Sequence, residues 1–74
     1  MISYRPLLDY MYHNDLLMSD VIKDIGISSR TAAKLRKGEP ISLQVIETIC
    51  LHYNLSIEEV VKISIAEEDP IGIE

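Results

Sequence analysis

The stretch "GISSRTAAKLRKGEPIS", Gly26 to Ser42, carries Arg30, Lys34, Arg36 and Lys37. These are four of the seven basic side chains in a 74-residue chain whose formal charge is −5. Glu39 is its only acid. The pattern is that of a short helix held between two stops. Gly26 lets the backbone turn through the left-handed region. Ser28 or Ser29 can accept a hydrogen bond from the first free N–H groups of a helix. "SRTAAKLRK" then offers only Ala32 and Leu35, with Ala33 at the margin, for burial. Gly38 closes the helix behind a basic last turn, which suits the negative end of the helix dipole.

The segments on either side are helical too. Upstream, "MSDVIKDI" places Val21, Ile22 and Ile25 on one face and predicts a helix over 18–25, stopped by Gly26. Before it, Pro6 suits a first helical turn, and Leu7, Leu8, Met11 and Tyr12 predict a helix over 6–14. Downstream, Pro40 breaks the chain and Ser42 opens a helix. Its apolar face is Val45, Ile46, Ile49, Cys50 and Tyr53, and Asn54 can end it in the left-handed conformation. "LSIEEVVKI" has a capping-box pair, Ser56 and Glu59, ahead of Val60, Val61 and Ile63, and predicts a fifth helix. The remaining "SIAEEDPIGIE" has no helical period. Alternating Ile63 and Ile65, then Ile71 and Ile73, predict an edge strand or a disordered end.

The charge is uneven along the chain. Residues 58–74 hold six acids against Lys62, while residues 1–57 balance at six and six. Within the balanced part, residues 21–37 carry a local charge of +4. The acidic total thus comes from the C-terminal end and leaves a basic face elsewhere. A single cysteine, Cys50, excludes an internal disulfide, and no Cys/His spacing resembles a metal site. No cofactor is expected, and a reducing, cytoplasmic setting fits. The N-terminus lacks the pattern of a signal peptide, and no apolar run approaches a membrane span. There is no paired carboxylate, activated nucleophile or phosphate-cradling glycine loop, so an enzyme is not expected. No small-molecule ligand is evident.

Helix two, the Gly26 turn and helix three form a helix-turn-helix pattern: two short helices joined by a tight turn containing glycine. Ile27 can plug the space between them, and Ala32 and Ala33 permit close approach. With "ISYRPLLDYM" at the start, "DVIKDIGISSRTAAKLRKGEPIS" in the middle and "VIETICLHYNLSIEEVV" at the end, residues 2–63 resemble a Cro/CI-type (lambda-repressor-like, XRE-family) domain of bacterial and phage regulators. The resemblance implies an all-α fold, a compact five-helix bundle over 1–65. The acidic C-terminal tail, 66–74, is expected to be irregular or strand-like.

The same resemblance implies roles for individual residues. Ser28 would cap a recognition helix over 28–37 lying in the major groove of double-stranded DNA. Ser29, Arg30 and Lys34 would face base edges, the two basic residues suiting guanine. Ser28, Thr31, Arg36, Lys37 and Ser42 would lie near phosphates. A homodimer, paired half-sites and a repressor's role in transcription regulation are also implied.

Two features depart from the family pattern. The entry to helix two is usually polar, but here it reads Leu16, Leu17, Met18, with Ser19 able to move the cap inward. The C-terminal end is acidic. Both support an alternative: a helix-turn-helix-derived protein-interaction module, antirepressor or antitoxin-like, with weak or no DNA binding. For the basic cluster the plainer reading is a solvated helix end. Cys50 is expected in the core, His13 and His52 at the surface or its edge, and the four tyrosines at the edge of the core.

Overall fold

The computed structural model describes residues 1–65. Strand β1 (Ile2–Ser3) leads into α1 (Arg5–His13), α2 (Met18–Ile25), α3 (Ser29–Lys37) and α4 (Leu43–Tyr53). A single 3-10 turn, Ile57–Glu59, precedes strand β2 (Lys62–Ile63). The two strands pair antiparallel, Ile2 opposite Ile63 and Ser3 opposite Lys62.

Each helix boundary has a local cause. Pro6 sits in the first turn of α1, where its missing N–H costs nothing. Asn14 ends that helix, its side-chain amide donating to the Tyr10 carbonyl at 2.8 Å. Ser28 caps α3 by accepting from the Thr31 N–H at 3.1 Å, and Ser42 caps α4 by accepting from Val45 at 3.3 Å. Gly26 (φ 72°), Gly38 (φ 79°) and Asn54 (φ 58°) end α2, α3 and α4 in the left-handed conformation. At α2 the expectation that Ser19 moves the cap inward is overturned. Leu17 is the N-cap residue, and its N–H donates to the Asp20 carboxylate at 3.0 Å.

All four helices contribute to one core. Tyr4, Leu7 and Met11 enter it from the N-terminal side, Met18 and Val21 from α2, Ala32 and Leu35 from α3. Ile46 and Ile49 come from α4 and Val60 from the segment after it. No described residue that is buried is polar or charged. Tyr53 ties α4 to α2 by donating to Asp24 at 3.2 Å, and its ring packs on Tyr10. Burial, followed by that hydrogen bond, pushes its phenol up to about 12.

The expected five-helix bundle is corrected to four helices. The capping groups of the fifth are in place: the Ser56 N–H and hydroxyl both donate to Glu59, at 2.9 and 3.0 Å. These bonds hold the Glu59 carboxyl below its ordinary range. The helix nevertheless ends after one turn. Val60 is fully buried, so the chain dips into the core there. The β-branched Val60, Val61 and Ile63 favour extended backbone, and β1 supplies a partner for it. Ile63 is therefore part of an edge strand, as its alternation with Ile65 allowed. The tail expected at 66–74 lies outside the described residues.

Three smaller expectations also change. Cys50 is half-buried, not core; burial and then Glu58 and Glu59 push its thiol up. Tyr4 is fully in the core, and Tyr12 is 80% exposed. No helix among the described residues is long and apolar enough to cross a membrane.

Candidate nucleic-acid interface

Helix α3 is held on one side and open on the other. Its buried pair, Ala32 and Leu35, sits on a single stripe. At about 100° per residue, Arg30 and Lys37 lie opposite that stripe, with Ala33 and Lys34 beside them. Ser29, Arg30, Arg36 and Lys37 are exposed, and Thr31 and Lys34 are partly exposed. The three expected base-contacting residues, Ser29, Arg30 and Lys34, all have exposed surface in the first turns of the helix or next to them. A helix presented this way can enter a groove with its N-terminal half leading.

The expected phosphate-contacting residues fall on two flanks. Ser28 and Thr31 line a shallow groove between the helix-turn-helix turn and the start of α4, shared with Gln44, Val45 and Thr48. Arg36 and Lys37 line a separate cavity under the N-terminal ribbon, with Gly38. Ser42 is exposed, but its side-chain oxygen accepts from Val45. The Ser28 hydroxyl is similarly occupied, since it also donates to the Thr31 hydroxyl at 3.1 Å. Thr31 accepts in that bond, which leaves its own proton for an outside acceptor. Ser28 and Ser42 thus act first as caps, and Thr31 is the better hydroxyl donor.

Three contributors escaped sequence reasoning. Gln44 and Thr48 share the groove with Thr31, and the Thr48 hydroxyl donates to the Gln44 carbonyl at 2.9 Å. Their i, i+4 spacing after the Ser42 cap is the signal that would have found them. Tyr4 is the third: its hydroxyl donates to the Glu39 carbonyl at 2.7 Å and pins the chain leaving α3. No local pattern reveals it, because the partner lies thirty-five positions away.

The entry to α2 is different in kind. Leu17 is 65% exposed, and Met18 is buried. Leu16 and Leu17 line one cavity with Met11, Tyr12, His13 and Asp15. The Asp20 carboxylate already occupies the N-terminal end of α2, where an outside anion would bind. Among the described residues, no group of three His, Cys, Asp or Glu could hold a metal ion.

With this geometry established, the comparisons with known proteins bear on it directly. Residues 7–64 match the family described as the Cro/C1-type HTH DNA-binding domain. The fold is similar to the crystal structure of the transcriptional regulator VanUg: TM-score 0.79, 30% identity, 82% of this chain and 81% of that one covered. No curated protein matches the chain.

Proposed function

The chain belongs to the Cro/C1-type helix-turn-helix DNA-binding family, and on that premise we propose that it is a sequence-specific transcriptional repressor acting as a homodimer in the cytoplasm. Helix α3 is its recognition helix in the major groove. One observation carries this reading: α3 buries only Ala32 and Leu35 and turns Arg30 and Lys37, with Lys34 beside them, the other way. The similarity to a transcriptional regulator over most of both chains supports it.

Ser29, Arg30 and Lys34 read base edges, the latter two as donors to guanine O6 and N7. Thr31, Arg36 and Lys37 bind phosphates, with Ser28 and Ser42 ordering the backbone N–H groups beside them. The phosphate contacts supply most of the affinity and make it fall with salt. Two copies place their recognition helices about 34 Å apart, one turn of B-DNA.

A mobility-shift assay with the promoter region of its own gene tests this. A shift that weakens steeply with added salt is expected. Arg30→Ala and Lys34→Ala each cost about 1–3 kcal/mol on the operator and relax specificity, while Lys37→Ala weakens all sequences alike and reduces the salt slope by about one. No shift with any upstream or genomic fragment would sink the reading.

Exposed Leu17 and Tyr12 favour a second reading, a protein-interaction module. The Asp20 carboxylate at the α2 N-terminus also opposes a phosphate there. Recovery of one protein partner free of nucleic acid in a pull-down, without any DNA shift, would select this second reading.

A further inference from the structure

The ribbon of β1 and β2 and the C-terminal end of α3 share an open cavity of about 310 Å³. The charged side chains that line it are Arg5, at the start of α1, and Arg36 and Lys37, in the last turn of α3. Among the described residues no acid lines it. All three cations are exposed. Long-range contacts bring them together. The Tyr4 hydroxyl donates to the Glu39 carbonyl at 2.7 Å, which ties the residue before Arg5 to the chain leaving α3. Gly38 lies so near the ribbon that a Cβ on it would sit 2.9 Å from the Ile2 carbonyl oxygen. The backbones that carry the three cations are therefore fixed against each other.

Three like charges around one cavity repel one another, and an anion placed among them relieves that repulsion. Arg5 has one acidic neighbour. Its Nε–H donates to the Asp9 carboxylate at 3.2 Å, with the two side chains 73% and 59% exposed. An exposed pair of this kind contributes little and is screened by salt. It uses only the Nε–H, so the terminal nitrogens of the guanidinium can still donate as a fork, a geometry that suits phosphate. Among the described residues no acid pairs with Arg36 or Lys37.

On the reading of α3 as the recognition helix, we propose that Arg5 joins Arg36 and Lys37 in a subsite for the DNA backbone, one that extends the interface from α3 onto the N-terminal ribbon. A backbone phosphate fits this place better than a free anion. The cavity is open and its cations are solvated, so a free anion gains little there. A phosphate carried on DNA already held by α3 arrives at high effective concentration. Arg5 adds affinity without sequence preference, because a phosphate contact carries no base information.

The test uses the full chain and a promoter fragment that the parent shifts, with affinity measured between about 50 and 200 mM salt. Arg5→Gln should lower the salt slope by about 0.9, so that its deficit against the parent shrinks roughly three- to fourfold over that range. Arg5→Lys, which keeps the charge, should retain at least half of the slope that Arg5→Gln loses. Lys62→Gln removes one charge from the same ribbon but outside the cavity, and should lose less than half as much. An unchanged slope in Arg5→Gln overturns the subsite. An equal loss in Lys62→Gln would reduce the effect to net charge and overturn it too, and no rescue by Arg5→Lys would make Arg5 a support of the ribbon only. Inorganic phosphate at matched ionic strength separates the two anion sources. Competition stronger than that of chloride, and abolished by Arg5→Gln, would assign the cavity to a free anion and overturn the backbone contact. If the parent shifts no fragment, the recognition-helix reading falls and the subsite with it; if the parent binds and Arg5→Gln matches it at every salt concentration, only the subsite falls.

Discussion

Helices α3 and α4 are built by the same local devices and put to different uses. Each opens on a serine whose side chain accepts from the third residue onward, at 3.1 Å for Ser28 and 3.3 Å for Ser42. Each closes on a left-handed residue, Gly38 or Asn54. Each buries two anchors, Ala32 and Leu35 in one, Ile46 and Ile49 in the other. The difference lies on the outside. Helix α3 shows Arg30, Arg36 and Lys37, whereas α4 shows Leu43 and Leu51, each 76% exposed. The buried side of a helix therefore reports how it is held, and only its exposed chemistry separates a face suited to a polyanion from an apolar one.

The comparison can be broken most forcefully at the anchors. Leu35→Ala and Ile49→Ala should each cost about 2–5 kcal/mol, a large part of a small domain's stability, in chemical denaturation. A loss under about 1 kcal/mol at Leu35 would mean that α3 is not held as described. The glycine stops come next. Gly26→Ala strains a positive φ but meets open space, so about 1 kcal/mol is expected. Gly38→Ala adds a backbone collision with Ile2, and its cost should reach about 2–3 kcal/mol. Equal melting temperatures for the two variants would remove the ribbon as a support of α3.

A smaller effect is expected where α4 meets α2. The Tyr53 phenol is raised in the folded state, so the unfolded chain loses its proton first as pH climbs. Its contribution to stability is complete below pH 10, the ordinary value, and drains away up to about 12. Tyr53→Phe should cost about 1 kcal/mol at neutral pH through the lost hydrogen bond to Asp24. It should also flatten the alkaline fall in melting temperature; a fall as steep as the parent's would contradict the assignment. The smallest effect belongs to the outer face of α4. Leu51→Gln should leave stability within about 0.5 kcal/mol, because the side chain is solvated already. A larger loss in dilute, monomeric protein would show that this face packs on something within the chain.

Most of the candidate site was legible in the sequence because its determinants are close neighbours along the chain. A serine cap, a glycine stop and a two-residue apolar stripe act over three or four positions, so α2, α3 and the turn between them follow from "DVIKDIGISSRTAAKLRKGEPIS" alone. The exposure of Ser29, Arg30, Arg36 and Lys37 follows from the same period. Their contacts with DNA are a reading that the binding experiments above decide.

What the sequence by itself determined is thus the helical unit, its caps and its basic face, all products of short-range hydrogen bonding and periodicity. Only the tertiary structure decided the rest. The capping box at Ser56 predicted a helix, but burial of Val60 and pairing of Ile63 with Ile2 turned the segment into one 3-10 turn and a strand. The same long-range packing sent Tyr4 into the core, left Tyr12 in solvent, and set the Gly38 end of α3 against the ribbon. Those outcomes depend on contacts between opposite ends of the chain, and no local preference encodes which distant partner will be there.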